Sequence, residues 1–220
     1  MRYSKEDIRK SMLLYAVTDR RWLKEGETLA EACQKALQNG VTFLQLREKD
    51  LAEADLEREA EALCALCARY RVPYVVNDSV EAALRSGADG VHVGQSDIKG
   101  RDIRRLIGPD RILGMTARTV EEAVAAERAG ADYIGVGAVF PTGTKQDARP
   151  MTRERLRAIR AAVSIPMVAI GGIHAGNLME LAGSGVDGVA VVSAIFGAED
   201  PGAATAELAA LAKELTKKQI

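Results

Sequence analysis

Eight short, near-continuously apolar runs alternate with eight longer amphipathic segments along this chain of 220 residues. No linker or low-complexity stretch interrupts them, and glycine-bearing helix stops recur just before the apolar runs. Together these observations predict an α/β fold, a single-domain (β/α)8 (TIM) barrel over residues 1–220 with a short N-terminal helical extension.

In chain order the candidate strands are LLYAV (13–17), FLQLR (43–47), PYVVN (73–77), GVHV (90–93), RILGM (111–115), YIGVG (133–137), PMVAI (166–170) and GVAVV (188–192). Their unbroken apolar character suits parallel strands covered on both faces. Helical segments are expected at 28–39, 53–70, 79–86, 100–107, 119–129, 152–162, 175–183 and 203–217. NG, SGADG, AGADY and SGVDG each stand where a helix stops and a strand begins, and glycine supplies the left-handed backbone of such a stop. A doubly wound open sheet is the alternative arrangement. Its usual glycine-rich turn after the first strand is missing, since that turn reads TDRRWLKEG, and GVGAVF at 135–140 is only a partial match. The barrel is preferred.

Composition narrows the function. With 47% apolar residues, 28% charged residues and a net charge of −1, the chain has no global field for nucleic acid or anionic lipid, so any anion site must be built locally. The N-terminal MRYSKEDIRKSM lacks the apolar core of a signal peptide, and no segment reaches the ~20 apolar residues of a membrane span. A cytoplasmic protein is expected, with no nucleic-acid or membrane partner; its oligomeric state is not readable. Cys33, Cys64 and Cys67 are an odd set, and the CxxC pair shares a helix face with Leu63 and Ala60. They read as small buried hydrophobes, not as redox or zinc ligands.

In a (β/α)8 barrel the site lies where the strands end. Reading each end in turn collects Gln45, Arg47 and Lys49; Asn77 and Asp78; His92, Gln95 and Asp97; Thr116; Thr142, Thr144 and Lys145; Gly171 and Gly172; and Ser193. Arg47, Lys49 and Lys145 are cations suited to a polyanion, with Asp78 and Asp97 as hard oxygen donors beside them. Mg2+ is commonly held by one or two carboxylates together with waters and substrate phosphates, so this set suits a magnesium diphosphate. Structural salt bridges are the plainer alternative for the same charges. The aperiodic segment AVFPTGTKQDARPM (138–151) is a long loop whose hydroxyls and lysine could close over phosphates. GGI after the seventh strand and VVSAIFG after the eighth match the recurrent barrel phosphate site, including its short helix. His92, within a strand, reads as a hydrogen-bonded core residue, and His174 as solvent-exposed. No Ser-His-Asp triad is supported.

QLREK, VND, HVGQSD, GADYIGVGAVFPTGTK, AIGGI and VSAI, in this order and spacing, resemble the thiamine-phosphate synthase (thiamine-phosphate pyrophosphorylase) family over nearly the whole chain. The resemblance implies a (β/α)8 barrel enzyme with two small-molecule substrates. It would join 4-amino-2-methyl-5-(diphosphomethyl)pyrimidine to a thiazole phosphate and release diphosphate. It also implies that Gln45, Arg47, Lys49 and Asn77 line the pyrimidine diphosphate site, that Lys145 contacts the diphosphate, and that Asp78 and Asp97 hold Mg2+. Thr142, Gly143, Thr144, Gly172, Val192 and Ser193 would hold the thiazole phosphate. Departures are confined to GMTART, where Thr116 and Arg118 replace the family's usual serine and histidine near the pyrimidine, and to Gly143 in the middle of the Thr-x-Thr loop. These are expected to alter KM more than reaction type. A thiazole tautomerase of the same fold is disfavoured by Ala138, where its histidine is expected. A catalytically silent phosphate-binding barrel is disfavoured because both carboxylates are present. Unliganded, Arg47 is expected to find a carboxylate or a bound anion.

Overall fold

The computed structural model describes residues 3–94, 100–142 and 151–218. Strands β1 (Leu14–Val17), β2 (Phe43–Leu46), β3 (Tyr74–Asn77), β4 (Gly90–Val93), β5 (Ile112–Ala117), β6 (Tyr133–Gly137), β7 (Met167–Ile170) and β8 (Gly188–Val191) pair in sequence order. All pairings are parallel, and β8 returns to β1 to close the barrel. The predicted open-sheet alternative is thereby excluded.

The strict alternation of strand side chains divides the interior into two cores. Leu14, Ala16, Leu44, Leu46, Tyr74, Val76, Leu113 and Ile134 face outward into a continuous apolar shell under the helices. Tyr15, Val17, Phe43, Val75, Ile112, Tyr133, Val168 and Ala190 face inward and pack against one another. Helix α1 (Lys5–Ser11), held at its start by the Ser4–Asp7 capping box, adds Ile8 to this inner core, joined by Met12 at its C-cap. The N-terminal extension is therefore a plug for one end of the barrel.

The outer layer comprises α2 (Leu29–Gln38), α3 (Glu53–Tyr70), α4 (Val80–Arg85), α5 (Ile103–Ile107), α6 (Val120–Arg128), α7 (Arg153–Ala162), α8 (Ser193–Phe196) and α9 (Pro201–Lys217). Side chains of Thr28, Ser79, Asp102, Thr119, Thr152 and Asp200 accept hydrogen bonds from the first turns of the helices they open. One predicted helix is corrected. Segment 175–183 forms only the 3-10 turn Leu178–Leu181. Asn177 accepts from the His174 N–H at 2.9 Å and donates to the Gly172 carbonyl at 2.8 Å, a local turn that competes with helix formation.

The recurring GAD and GVD junctions do more than stop helices. Asp89, Asp132 and Asp187 each accept, through a carboxylate oxygen, the backbone N–H of a strand entry: Tyr74 at 3.0 Å, Leu113 at 2.8 Å and Met167 at 2.8 Å. Asp132 and Asp187 also pair with Arg104 (2.7 Å) and Arg160 (3.1 Å), and Arg9 of α1 reaches Asp187 from the plug. These brackets fasten the face opposite the strand ends, which in barrels serves stability. The cysteines are free thiols; burial pushes Cys33 and Cys67 up in pKa, as expected for packing residues.

Replacing Asp187 by alanine removes the carboxylate that pairs with Arg160 and Arg9 and leaves the Met167 N–H without its acceptor. The expected loss of unfolding free energy is about 2 kcal/mol, discounted for the pair's partial exposure. Urea denaturation should show it, with a smaller loss for Asp187→Asn; equal stability of Asp187→Ala and the parent would contradict the bracket.

Candidate active site

At the C-terminal ends of the strands the barrel opens into a cavity of about 480 Å3, within the range of small-molecule sites. Each strand contributes through its inward alternation. On β2, Phe43 is fully buried, Gln45 is buried above it, and Arg47 lies half-buried just past the strand end. Phe43 belongs to the apolar floor, whereas Gln45, Arg47 and the exposed Lys49 line the cavity. Glu48 points the other way: its side chain is nearly sealed and accepts from Arg20 at 2.5 Å. Burial raises the Glu48 carboxyl pKa while Arg20 opposes the shift. The charged run REK is thus split between two compartments.

The β3 end is a compact turn. Asn77, the last strand residue, donates from its side chain to the Asp78 carboxylate at 2.5 Å. Asp78 has a left-handed backbone (φ 62°) and donates its N–H to the His92 carbonyl at 2.8 Å. Ser79 then caps α4. Aspartate is among the few residues that tolerate this backbone, so VNDS places a carboxylate on the rim without a glycine.

On the opposite side, Gly171 and Gly172 have φ of 103° and 67°. A Cβ on Gly172 would lie 2.3 Å from the Pro141 carbonyl oxygen. The chain after β6 is laid directly on this turn, with the Phe140 N–H bonded to the Gly171 carbonyl at 3.0 Å. Thr142, Gly172, Val192 and Ser193 consequently share one sector of the cavity wall, with α8 starting at Ser193. The short helix expected after the eighth strand is in place.

Gln45, Arg47, Lys49, Asn77, Asp78, Thr116, Thr142, Gly172, Val192 and Ser193, all expected from sequence, line this one cavity. Asp97, Gly143, Thr144 and Lys145 lie outside the described residues. Thr116 is reached because β5 runs two residues beyond its predicted end. Tyr15 and Glu122 were missed. Tyr15 reads as core and is buried, and Glu122 sits on a helix, accepting from the Arg118 N–H at 2.6 Å. His92 is buried and hydrogen-bonded, as expected, yet it also touches the cavity. His174 is exposed, as expected.

Of the two partners expected for Arg47, a carboxylate or a bound anion, no carboxylate pairs with it among the described residues. The Asp19 carboxylate feels its charge, but that group is held low in pKa chiefly by Arg21, which grips it with two nitrogens. Thr18 instead fixes the Arg47 backbone, accepting its N–H at 2.9 Å. Arg47 and Lys49 thus face the cavity with Asp78 beside them. Among the described residues no three His, Cys, Asp or Glu side chains cluster as a metal cage. An exposed carboxylate next to cations suits a divalent cation that completes its shell with water and phosphate oxygens.

A closed barrel whose mouth pairs a cationic sector with a glycine turn is the layout of a (β/α)8 enzyme for phosphorylated substrates. The sequence profile of the family described as thiamine monophosphate synthase matches residues 14–195, and the chain belongs to that family. The thiamine-phosphate synthase of Clostridium tetani is 44% identical over 195 residues, covering 89% of this chain and 93% of that protein. That of Ruminiclostridium cellulolyticum is 48% identical over 187 residues, covering 85% and 89%. Among solved structures, the thiamine phosphate pyrophosphorylase of Pyrococcus furiosus superposes with a TM-score of 0.86 at 40% identity, covering 94% of this chain and 98% of that one. The resemblance drawn from the six motifs is correct. No helix among the described residues is long and apolar enough to cross a membrane.

Gly172→Ala forces both a left-handed alanine and a collision with the Pro141 carbonyl. Inorganic phosphate should bind at least about tenfold more weakly to this variant, since strain and clash together exceed 1.4 kcal/mol. Titration calorimetry checks it, and unchanged affinity would rule out the glycine turn as an anion site.

Proposed function

We propose that this chain condenses 4-amino-2-methyl-5-(diphosphomethyl)pyrimidine with 4-methyl-5-(2-phosphoethyl)thiazole, or its carboxylated form, giving thiamine phosphate and diphosphate. The observation that carries this reading is the confluence of Arg47, Lys49 and Asp78 in one cavity with the glycine turn and Ser193. Two anion sites on one rim match two phosphorylated substrates. A cytoplasmic location goes with this reading.

In this reading Gln45, Asn77 and Thr116 orient the aminopyrimidine, while Arg47, Lys49 and Lys145 bind its diphosphate. Thr142, Gly143, Thr144, Gly172, Val192 and Ser193 hold the thiazole phosphate. Asp78 and Asp97 would hold Mg2+, which when bound adds positive charge against the leaving diphosphate.

The electron-rich ring supports cationic character on its exocyclic CH2, so the C–O bond breaks first and its electron pair leaves with the diphosphate. The guanidinium of Arg47 and the ammonium groups of Lys49 and Lys145 stabilise that departing charge. Preorganised electrostatics of this kind is commonly the largest contribution to catalysis. The thiazole nitrogen then forms the new C–N bond with its lone pair. No proton is transferred, so no general base is required, in keeping with the scarcity of histidine. Positioning of two substrates in line supplies the remainder.

Arg47→Ala should lower kcat by two or more orders of magnitude, about the effect of deleting one oxyanion donor. The assay is diphosphate release with both substrates and Mg2+. Near-normal kcat would sink the assignment. In the same assay Asp78→Ala should raise the Mg2+ concentration needed for half-maximal rate.

A further inference from the structure

Beneath the cavity, five side chains from five strands form an unbroken hydrogen-bonded chain across the barrel. Gln45 Nε2 donates to the Tyr15 hydroxyl at 2.6 Å. The Tyr15 and Tyr133 hydroxyls are 2.7 Å apart. Tyr133 reaches His92 Nδ1 at 3.0 Å, and His92 Nε2 reaches Thr116 Oγ1 at 3.1 Å. Both ends of the chain, Gln45 and Thr116, line the cavity, whereas the Tyr133 ring between them is fully buried.

The surrounding barrel is shaped to hold this chain. A Cβ on Gly114 would lie 2.2 Å from Tyr133 Cζ and 2.6 Å from His92 Nδ1, so only glycine admits the contact. Phe43 packs against both tyrosine rings, with centroids at 4.5 Å and 5.4 Å.

The direction of the hydrogen bonds follows from counting protons. Burial pushes both phenols up in pKa, so each keeps one hydrogen to give. Tyr15 already accepts from the Gln45 amide, and its hydrogen can go only to Tyr133 among the described residues. Tyr133 must then donate to His92 Nδ1, because a buried hydroxyl hydrogen left without an acceptor is costly. With Nδ1 accepting, the ring hydrogen of neutral His92 is on Nε2 and is given to Thr116 Oγ1. The Thr116 hydrogen is thereby turned away from His92, and Gln45 keeps its carbonyl oxygen for the cavity.

We propose that His92 is a positioning residue: through Tyr133 and Tyr15 it locks Gln45 as a hydrogen-bond acceptor and Thr116 as a donor, so that the cavity reads the amino group and adjacent ring nitrogen of an aminopyrimidine. The proposal rests on the pyrimidine reading above and adds the device that makes the recognition directional. Sites built to pair a particular donor discriminate strongly against analogues that lack it.

The test uses the full chain with Mg2+ and two ligands, the pyrimidine diphosphate and the same molecule without its 4-amino group. Tyr133→Phe removes one link at nearly constant volume. It should weaken binding of the amino ligand at least tenfold more than that of the des-amino ligand, which keeps only the ring-nitrogen contact. Equal weakening of both, or of neither, overturns the proposal. Long-range nitrogen–proton NMR of the parent gives a reading independent of any variant's folding. His92 should be the neutral tautomer with its hydrogen on Nε2, and a hydrogen on Nδ1 overturns the proposed direction. Neither reading needs turnover. A parent that binds with the stated discrimination but releases no diphosphate would contradict the proposed reaction while supporting the chain.

Discussion

Arg47 stands where β2 leaves the barrel, and the alternation of that strand carries it there. Phe43 and Gln45 occupy the inward positions below it, so the next inward side chain must lie over the cavity. A half-buried guanidinium in that position, with no ion pair among the described residues, is costly unless an anion meets it. It becomes favourable when an anion fills the cavity, and the remainder of the mouth is organised on the same terms. Lys49 adds a second charge beyond the strand, and Asp78 brings the one carboxylate of the βα turn between Asn77 and Ser79 into the same space. Glu48, which could have cancelled the neighbouring arginine, is turned outward to Arg20.

Stability is concentrated at the other end. The plug formed by Ile8 and Met12, the aspartate brackets at 89, 132 and 187, and their arginines hold the strand entries in register. That separation lets the mouth carry a left-handed aspartate, a feature that lowers stability where it occurs. Between the two ends lies the inner core, whose Tyr15, Tyr133 and His92 form a polar chain instead of a purely apolar layer. The chain joins Gln45 to Thr116, both on the cavity wall, so the same side chains pack the inner core and reach the cavity.

Much of this could be read from residues alone, for identifiable reasons. Parallel strands buried on both faces leave apolar runs that stand out against amphipathic helices, and the barrel follows from their number and order. The rim was legible because polar residues at the ends of such runs have no structural reason to recur on one side. Helix 175–183 was misread because its period suggested a helix, while the competing hydrogen bonds of Asn177 depend on where His174 and Gly172 fall in space. Tyr15 was invisible as a site residue, since a tyrosine in an apolar strand is indistinguishable from core until its hydroxyl partners are known. The aspartate brackets were seen only as helix stops, because their partners lie on strand entries 15 to 20 residues back along the chain.

In the proposed function, the cations at the barrel mouth are matched by a substrate diphosphate together with a divalent ion. Equilibrium dialysis of labelled pyrimidine diphosphate against the protein, in Mg2+ and in EDTA, tests it most directly. Saturable one-to-one binding is expected in Mg2+, weakening at least tenfold in EDTA. Equal affinity in both, or no saturable binding in Mg2+, would contradict it.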